Sequence, residues 1–162
     1  MNNKEKNMKI LLVIDMQKGF MKNKKYLELN NKISDYITRS NYDKIIFTKF
    51  INEKLKNSFY QDKIGWTKLT TEDEQDFSLN IPKNAIIMKK YGYGLNRQDL
   101  DYINSLDIKE IDICGLKSEA CVYAISLQLW DMGIYPNILY NFVEGDVDMK
   151  NIFIKQFGNI SL

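Results

Sequence analysis

The fold is indicated most clearly by the stretch IKEIDIC, residues 108–114, and by the GLKSEACV that follows it, residues 115–122. Its first half is an isoleucine-rich apolar run, which is typical of a strand buried in a sheet. Gly115 indicates a tight turn, and residues 123–133 predict a helix that stops at Gly133. Strand, turn and helix in this order place Cys121 in the first turn of the helix.

On both sides of this stretch, the rest of the chain repeats the alternation of strands and helices. Further strands are predicted at Met8–Ile14, Lys44–Thr48, Ala85–Lys89 and Ile134–Tyr140, and further helices at Leu27–Ser40, after Asn96 and at Asp148–Phe157. Residues 49–82 show no regular pattern. Such alternation indicates α/β class. We predict one domain over residues 1–162, a Rossmann-like three-layer sandwich with a mostly parallel sheet and helices on both faces.

Composition excludes several classes of partner. The net charge of +2, from 23 basic and 21 acidic residues, argues against binding to nucleic acid or to an anionic membrane. No apolar run reaches the roughly 18 residues of a membrane span, and the start of the chain lacks the apolar core of a signal peptide. We therefore expect a cytoplasmic protein whose partner is a small molecule.

The chain has no histidine and only two cysteines, Cys114 and Cys121. Without histidine, Ser-His-Asp and Cys-His catalysis are excluded, as is the commonest transition-metal ligand. Cys114 lies inside the predicted strand, where packing is the simplest role. Cys121 is different, because the N-terminus of a helix favours a reactive thiolate. The alternative is that Cys121, like many free cysteines, is only a buried packing residue.

Residues with reactive side chains follow three of the predicted strands. Asp15 ends the first strand, Lys89 or Lys90 the third, and Cys121 comes shortly after the fourth. Ligands of open parallel sheets bind outside the carboxyl ends of the strands. Each residue also has a simpler explanation, since Asp15 could cap a turn and the lysines could be solvated. A carboxylate, an ammonium group and a thiol that converge on one cleft favour a functional site.

Three motifs in these regions resemble a known family. They are VIDMQKGF at residues 13–20, similar to a D-x-Q-x-x-F motif, NAIIMK at residues 84–89, and GLKSEACV at residues 115–122. Through them the chain resembles the isochorismatase-like cysteine hydrolases, the group that includes nicotinamidases and other small-amide hydrolases. The resemblance covers nearly the full length of the chain.

The resemblance implies a metal-independent cysteine hydrolase that cleaves a small, amide-like C–N bond through a covalent thioester-type intermediate. In that scheme Asp15 is the general base, Lys89 holds the charges in place, with Lys90 as the alternative, and Cys121 is the nucleophile. Backbone N–H groups of Lys117 and Cys121 would bind the oxyanion, beside a cis peptide bond between Leu116 and Lys117. The resemblance also implies a homo-oligomer, either a dimer or a tetramer.

Departures from the family limit what can be expected. Metal-dependent nicotinamidases carry an Asp-x-His arrangement after the second strand, where this chain has Phe50 and Asn52. We therefore expect no metal and no other cofactor, and nicotinamidase activity itself is disfavoured. Phe20 and Tyr93 are expected to bind the substrate together with Lys117. Aromatic residues of this region, which include Tyr91 and Trp66, would wall a pocket for a flat ring, or else belong to the core.

Two other functions remain open at this point. A non-catalytic relative of the same fold would bind a small metabolite or serve as an interaction module, but it would not need all three of the aspartate, lysine and cysteine. A redox sensor would use Cys121 as its reactive thiol. A resolving Cys114 buried in a strand disfavours this alternative.

Overall fold

The computed structural model describes residues 8–162. Its five strands are β1 (Ile10–Ile14), β2 (Lys44–Phe50), β3 (Ile86–Lys90), β4 (Glu110–Leu116) and β5 (Tyr135–Glu144). They form one sheet in the order β3-β2-β1-β4-β5, and all four neighbouring pairs are parallel. β1 is buried along its whole length, as its continuous apolar run predicts. The α/β class and the parallel sheet are confirmed.

Six α-helices accompany the sheet: α1 (Lys24–Arg39), α2 (Phe59–Asp62), α3 (Glu72–Gln75), α4 (Arg97–Ser105), α5 (Tyr123–Asp131) and α6 (Lys150–Phe157). The side chain of Asn96 caps α4 as predicted, because it accepts a hydrogen bond of 2.9 Å from the backbone N–H of Asp99. α5 is followed by Gly133 at φ 77°, the conformation expected of the glycine after a helix. Within residues 8–162, no helix combines the length and apolarity that crossing a membrane requires.

The helices lie on both faces of the sheet. From β1 the chain winds to one edge through β2, and from β4 it winds to the other edge through β5. Because such crossovers are right-handed, the helices after β1 and β4 fall on opposite faces. Ring contacts join the helices to β5 and to each other, since Tyr36 of α1 packs on Phe142, and Phe153 of α6 packs on Tyr140 and on Tyr123 of α5.

The change in winding direction lies between β1 and β4, and this point forms the crevice in which doubly wound sheets bind ligands. The two backbones come very close there. A Cβ atom added at Gly115 would lie 2.2 Å from the carbonyl oxygen of Ile14, and Gly115 has a φ of 120°. Only glycine permits this approach, which brings the residues after β1 and β4 together.

The irregular segment between β2 and β3 is fixed to the sheet through Gln17. Its side-chain amide donates to the carbonyl oxygens of Phe50 and Gln75, each at 2.9 Å, and its oxygen accepts from the backbone N–H of Phe50 at 2.9 Å. Gln17 is fully buried. This one side chain therefore holds the end of β2 and the region of α3 beside the carboxyl end of β1.

Candidate active site

Asp15 is the first residue after β1 and is buried. Its φ of 51° is uncommon for a residue other than glycine and is typical of strained positions at functional sites. Thr48 of β2 holds the aspartate at both ends. The hydroxyl accepts from the backbone N–H of Asp15 at 3.1 Å and donates to Oδ1 of its carboxylate at 2.6 Å. The other carboxylate oxygen faces the end of β3.

Lys90, the last residue of β3, bridges the carboxylate and the thiol. Its side chain has no solvent exposure, and its Nζ lies 2.8 Å from Oδ2 of Asp15 and 3.2 Å from Sγ of Cys121. Nζ also donates to the carbonyl oxygen of Gly92 at 3.0 Å and lies 4.6 Å from the centre of the Phe50 ring. Burial alone lowers the pKa of Lys90, but attraction to Asp15 and Cys121 outweighs it and raises the pKa. Lys90 is therefore a buried cation.

The expectation that Lys89 lies beside Asp15 and Cys121 is wrong, and Lys90 takes that position. Successive side chains of a strand point to opposite faces, so only one of two neighbouring lysines can enter the cleft. Burial alternates along the end of β3, with Met88 and Lys90 buried and Lys89 exposed. The predicted strand ended one residue early, at Lys89, and this error selected the wrong side chain.

Cys121 lies in a single π-helical turn, Ser118–Val122, that precedes α5. The turn closes through a bond of 3.1 Å from the backbone N–H of Val122 to the carbonyl oxygen of Lys117. Just before it, the peptide bond between Leu116 and Lys117 is cis, as the resemblance implies. The π-helical turn carries Cys121 away from β4 and presents its thiol to the cleft.

The thiol of Cys121 is not the ready thiolate that its place near a helix start predicts. Burial raises its pKa to about 12, and although Lys90 acts to lower the pKa, Asp15 raises it further. Desolvation therefore outweighs the nearby cation. At neutral pH the thiol keeps its proton, and any reaction through sulfur needs a base.

Asp15 and Cys121 line a cavity of about 500 Å³, and Lys90 is buried behind them. Phe20, Tyr93 and Lys117, the residues expected to bind substrate, all line this cavity. The ammonium group of Lys117 pairs with the carboxylate of Asp146 and lies 3.8 Å from Glu119 Oε1. Substrate binding by these three residues stays a prediction, since their position shows only that they are available.

Aromatic rings form one wall of the cavity, and Phe50, Tyr60 and Trp66 come from the segment without a regular pattern. The ring centres are 5.1 Å apart for Phe50 and Tyr60, 5.3 Å for Phe50 and Trp66, and 5.0 Å for Tyr60 and Tyr93. Tyr91, the other aromatic residue considered, lies outside the cavity lining, and its ring faces the ammonium group of Lys56.

Sequence reasoning did not single out Thr48, Phe50 or Tyr60 as site residues. Thr48 lies inside a predicted strand and Tyr60 in a polar, irregular stretch, so no local pattern distinguishes them. The one available signal for Thr48 and Phe50 is their place near the end of β2, the strand beside β1.

The sheet is parallel, and a carboxylate, an ammonium group and a thiol meet where its winding direction changes. The chain therefore belongs to a class of α/β proteins that have a buried cysteine in the ligand crevice. The family model of the isochorismatase domain matches residues 9–139, and the chain belongs to this family. No curated protein sequence matches the chain.

Solved structures share the fold over nearly the whole length. PnC1 from L. infantum in complex with nicotinate has 15% sequence identity and a TM-score of 0.79, and the match covers 96% of this chain and 92% of that one. N-carbamoylsarcosine amidase from Thermoplasma acidophilum has 14% sequence identity and a TM-score of 0.78, and the match covers 95% of each chain. Pyrazinamidase of Pyrococcus horikoshii in complex with zinc has 21% sequence identity and a TM-score of 0.71, and the match covers 86% of this chain and 88% of that one. Such identities show a common fold.

The residues after β2 do not fit the zinc that one of these relatives binds. The amide nitrogen of Asn52 donates to the carbonyl oxygens of Trp66 at 3.0 Å and Lys68 at 2.9 Å, and its oxygen lies 3.3 Å from Nε2 of Gln61. The side chain of Asn52 is thus fully engaged in hydrogen bonds that hold the backbone of the cavity wall. Over residues 8–162, no group of three or more His, Cys, Asp or Glu side chains could hold a metal ion.

Proposed function

We propose that the protein is a cysteine hydrolase that cleaves a small, amide-like C–N bond, with Asp15, Lys90 and Cys121 as its catalytic residues. The observation that carries this proposal is the position of Lys90 Nζ, 2.8 Å from the Asp15 carboxylate and 3.2 Å from the Cys121 thiol. The pyrazinamidase and the N-carbamoylsarcosine amidase among the proteins of the same fold support a C–N bond as the target.

The first half of the reaction acylates the enzyme. Asp15 accepts the proton of the Cys121 thiol as Sγ attacks the carbonyl carbon, so the thiolate forms only when a substrate can use it. The negative charge moves to the substrate oxygen, where the backbone N–H groups of Lys117 and Cys121 would stabilise it. When the tetrahedral intermediate collapses, the C–N bond breaks, and the amine leaves with the proton that Asp15 returns.

The second half releases the acid. Asp15 accepts a proton from water while the water oxygen attacks the thioester carbon, and the C–S bond then breaks. The sulfur leaves as a thiolate beside Lys90 and regains its proton from Asp15. Lys90 stays protonated throughout, and its role is to stabilise whichever of the two groups carries the negative charge at each step.

The cavity suggests the form of the acyl group. Phe20, Tyr60 and Trp66 present flat apolar surfaces, and the volume of about 500 Å³ suits a compact molecule. Lys117 is the basic side chain of the cavity lining, and Asp146 and Glu119 already neutralise it. A neutral, flat amide therefore fits better than a substrate with a carboxylate.

A substrate panel tests the proposal, with small amides, ureides and N-carbamoyl compounds assayed for release of ammonia. Cys121→Ala should lower turnover by at least about 10³-fold, because the nucleophile is lost. The matched variant Cys114→Ala should retain turnover. The acyl-enzyme should appear in intact-mass spectra of the native protein and be absent in Cys121→Ala.

Two results would contradict the proposal. Unchanged turnover in Cys121→Ala would remove the nucleophile. Binding of the panel compounds without hydrolysis of any of them would instead favour a non-catalytic protein that binds a small metabolite in the same cavity.

A further inference from the structure

Tyr60 places a hydroxyl group in the aromatic wall of the cavity. It belongs to α2, is only 7% exposed, and lines the same cavity as Asp15 and Cys121. Edge-to-face contacts with Phe50 and Tyr93 hold its ring from two sides. The orientation of the ring is therefore fixed by packing.

The hydroxyl lies close to the reactive groups. A Cβ atom added at Gly92 would be 3.9 Å from the Tyr60 oxygen, and the carbonyl oxygen of Gly92 accepts a hydrogen bond from Lys90 Nζ at 3.0 Å. Burial is the main cause that raises the pKa of Tyr60 to about 12. The phenol thus keeps its proton at neutral pH and is a hydrogen-bond donor.

This donor has no acceptor within the described part of the chain. No side chain of residues 8–162 accepts a hydrogen bond from the Tyr60 hydroxyl, and toward the backbone of Tyr93 its oxygen is the acceptor, so the proton remains available to a ligand. A polar group in an apolar wall is costly to desolvate unless it is hydrogen-bonded. A ligand that fills the cavity removes water from the hydroxyl and must then supply the acceptor itself.

We propose that Tyr60 is a specificity-determining residue that donates a hydrogen bond to an acceptor on the substrate, separate from the carbonyl group that Cys121 attacks. This inference rests on the proposed function, because it assumes that the substrate occupies this cavity. The preferred substrates are flat amides with such an acceptor on the ring. Rings of the same shape without the acceptor leave the hydroxyl unpaired and bind less tightly.

The test measures binding without turnover. Calorimetry compares Cys121→Ala with Cys121→Ala/Tyr60→Phe, using benzamide and the three pyridinecarboxamides, which differ from benzamide by one ring nitrogen. At least one pyridinecarboxamide should bind Cys121→Ala about tenfold tighter than benzamide, as expected for one hydrogen bond. Tyr60→Phe should abolish this advantage and leave benzamide affinity within about twofold, since the ring is retained. Tyr91→Phe, outside the cavity, is the control and should preserve the advantage.

Failure of this inference can be separated from failure of the proposed function. An advantage that persists in Tyr60→Phe, or the absence of binding by every ring compound, overturns the role of Tyr60. Release of ammonia from any amide by the native protein, with loss in Cys121→Ala, would still support the hydrolase. A Tyr60-dependent advantage in a protein that hydrolyses nothing would support the inference and contradict the hydrolase.

Discussion

Cys114 and Cys121 belong to the same strand–turn–helix unit, yet their surroundings differ completely. Both are buried, and in both burial is the main cause that raises the pKa. Cys114 lies within β4 and is paired with Val13 of β1, and the nearby charge that acts on it is the carboxylate of Asp112, which raises its pKa further. Cys121 has the ammonium group of Lys90 at 3.2 Å and opens into the cavity. Position relative to the strand end, and not burial, is what gives one thiol a cation and a cavity and leaves the other packed inside the sheet.

The comparison predicts that Lys90 is what makes Cys121 different. Lys90→Met should lower turnover by about 10²–10³-fold, because charge stabilisation at the site is lost. It should also lower the free energy of unfolding by about 3–5 kcal/mol, since Asp15 is left as a buried charge without its partner. Lys89→Met is the matched control, and on the exposed face it should change stability by no more than about 0.5 kcal/mol. Turnover assays and urea denaturation measure the two effects.

The double variant Asp15→Asn/Lys90→Met sharpens this prediction. With both charges replaced by neutral groups, much of the lost stability should return while turnover stays low. Equal loss of turnover in Lys89→Met and Lys90→Met would contradict the assignment of Lys90 to the site.

Alkylation compares the two thiols directly. Iodoacetamide should label Cys121 in the native protein through the cavity and leave Cys114 unlabelled, as peptide mass spectrometry can show. Because the pKa of Cys121 is raised to about 12, its thiolate fraction and labelling rate should keep rising well above pH 8.5, where a free thiol levels off at about its own pKa. Labelling of both cysteines at one rate, or of neither until denaturation, would contradict the difference.

The same assay tests how Asp15 acts on the thiol. The carboxylate raises the pKa of Cys121, so Asp15→Asn should lower that pKa and speed alkylation at pH 7. Turnover should fall in the same variant, because the amide cannot accept the proton. Slower alkylation in Asp15→Asn would show that Asp15 assists the free enzyme as well as the reaction.

The smallest expected effect is that of chelation. EDTA should leave the turnover of native protein unchanged, because the chain has no histidine and Asn52 is committed to backbone contacts. Loss of turnover with EDTA and recovery with zinc would contradict this prediction.

Local sequence patterns predicted the frame of the site. Continuous apolar runs located β1 and β4, and Asp15 and Cys121 were then found by their places after those strands. The apolar pattern could not determine whether Lys89 or Lys90 enters the site, because a one-residue shift at the end of a strand exchanges the two faces of the sheet. A strand boundary is seldom known to that accuracy from a single sequence.

Features that depend on distant parts of the chain were not predicted. Tyr60 reaches the cavity because α2, which is far from Cys121 in sequence, folds beside the cavity. The raised pKa of Cys121 has the same origin, since burial in the folded protein is its main cause and Asp15, the residue after β1, raises it further. The helix-terminus argument considered only the neighbours along the chain and therefore left out the desolvation of the thiol.

The contact between Gly115 and Ile14 has a consequence for redesign. It is a contact of main chain with main chain, so the separation of Asp15 from the Cys121 turn does not depend on any side chain at this point. Much of the aromatic wall, including Tyr60 and Trp66, comes instead from the irregular segment between β2 and β3. Substitutions in that segment can reshape the cavity without moving the reactive groups, which makes it the natural target for changing the substrate range of this scaffold.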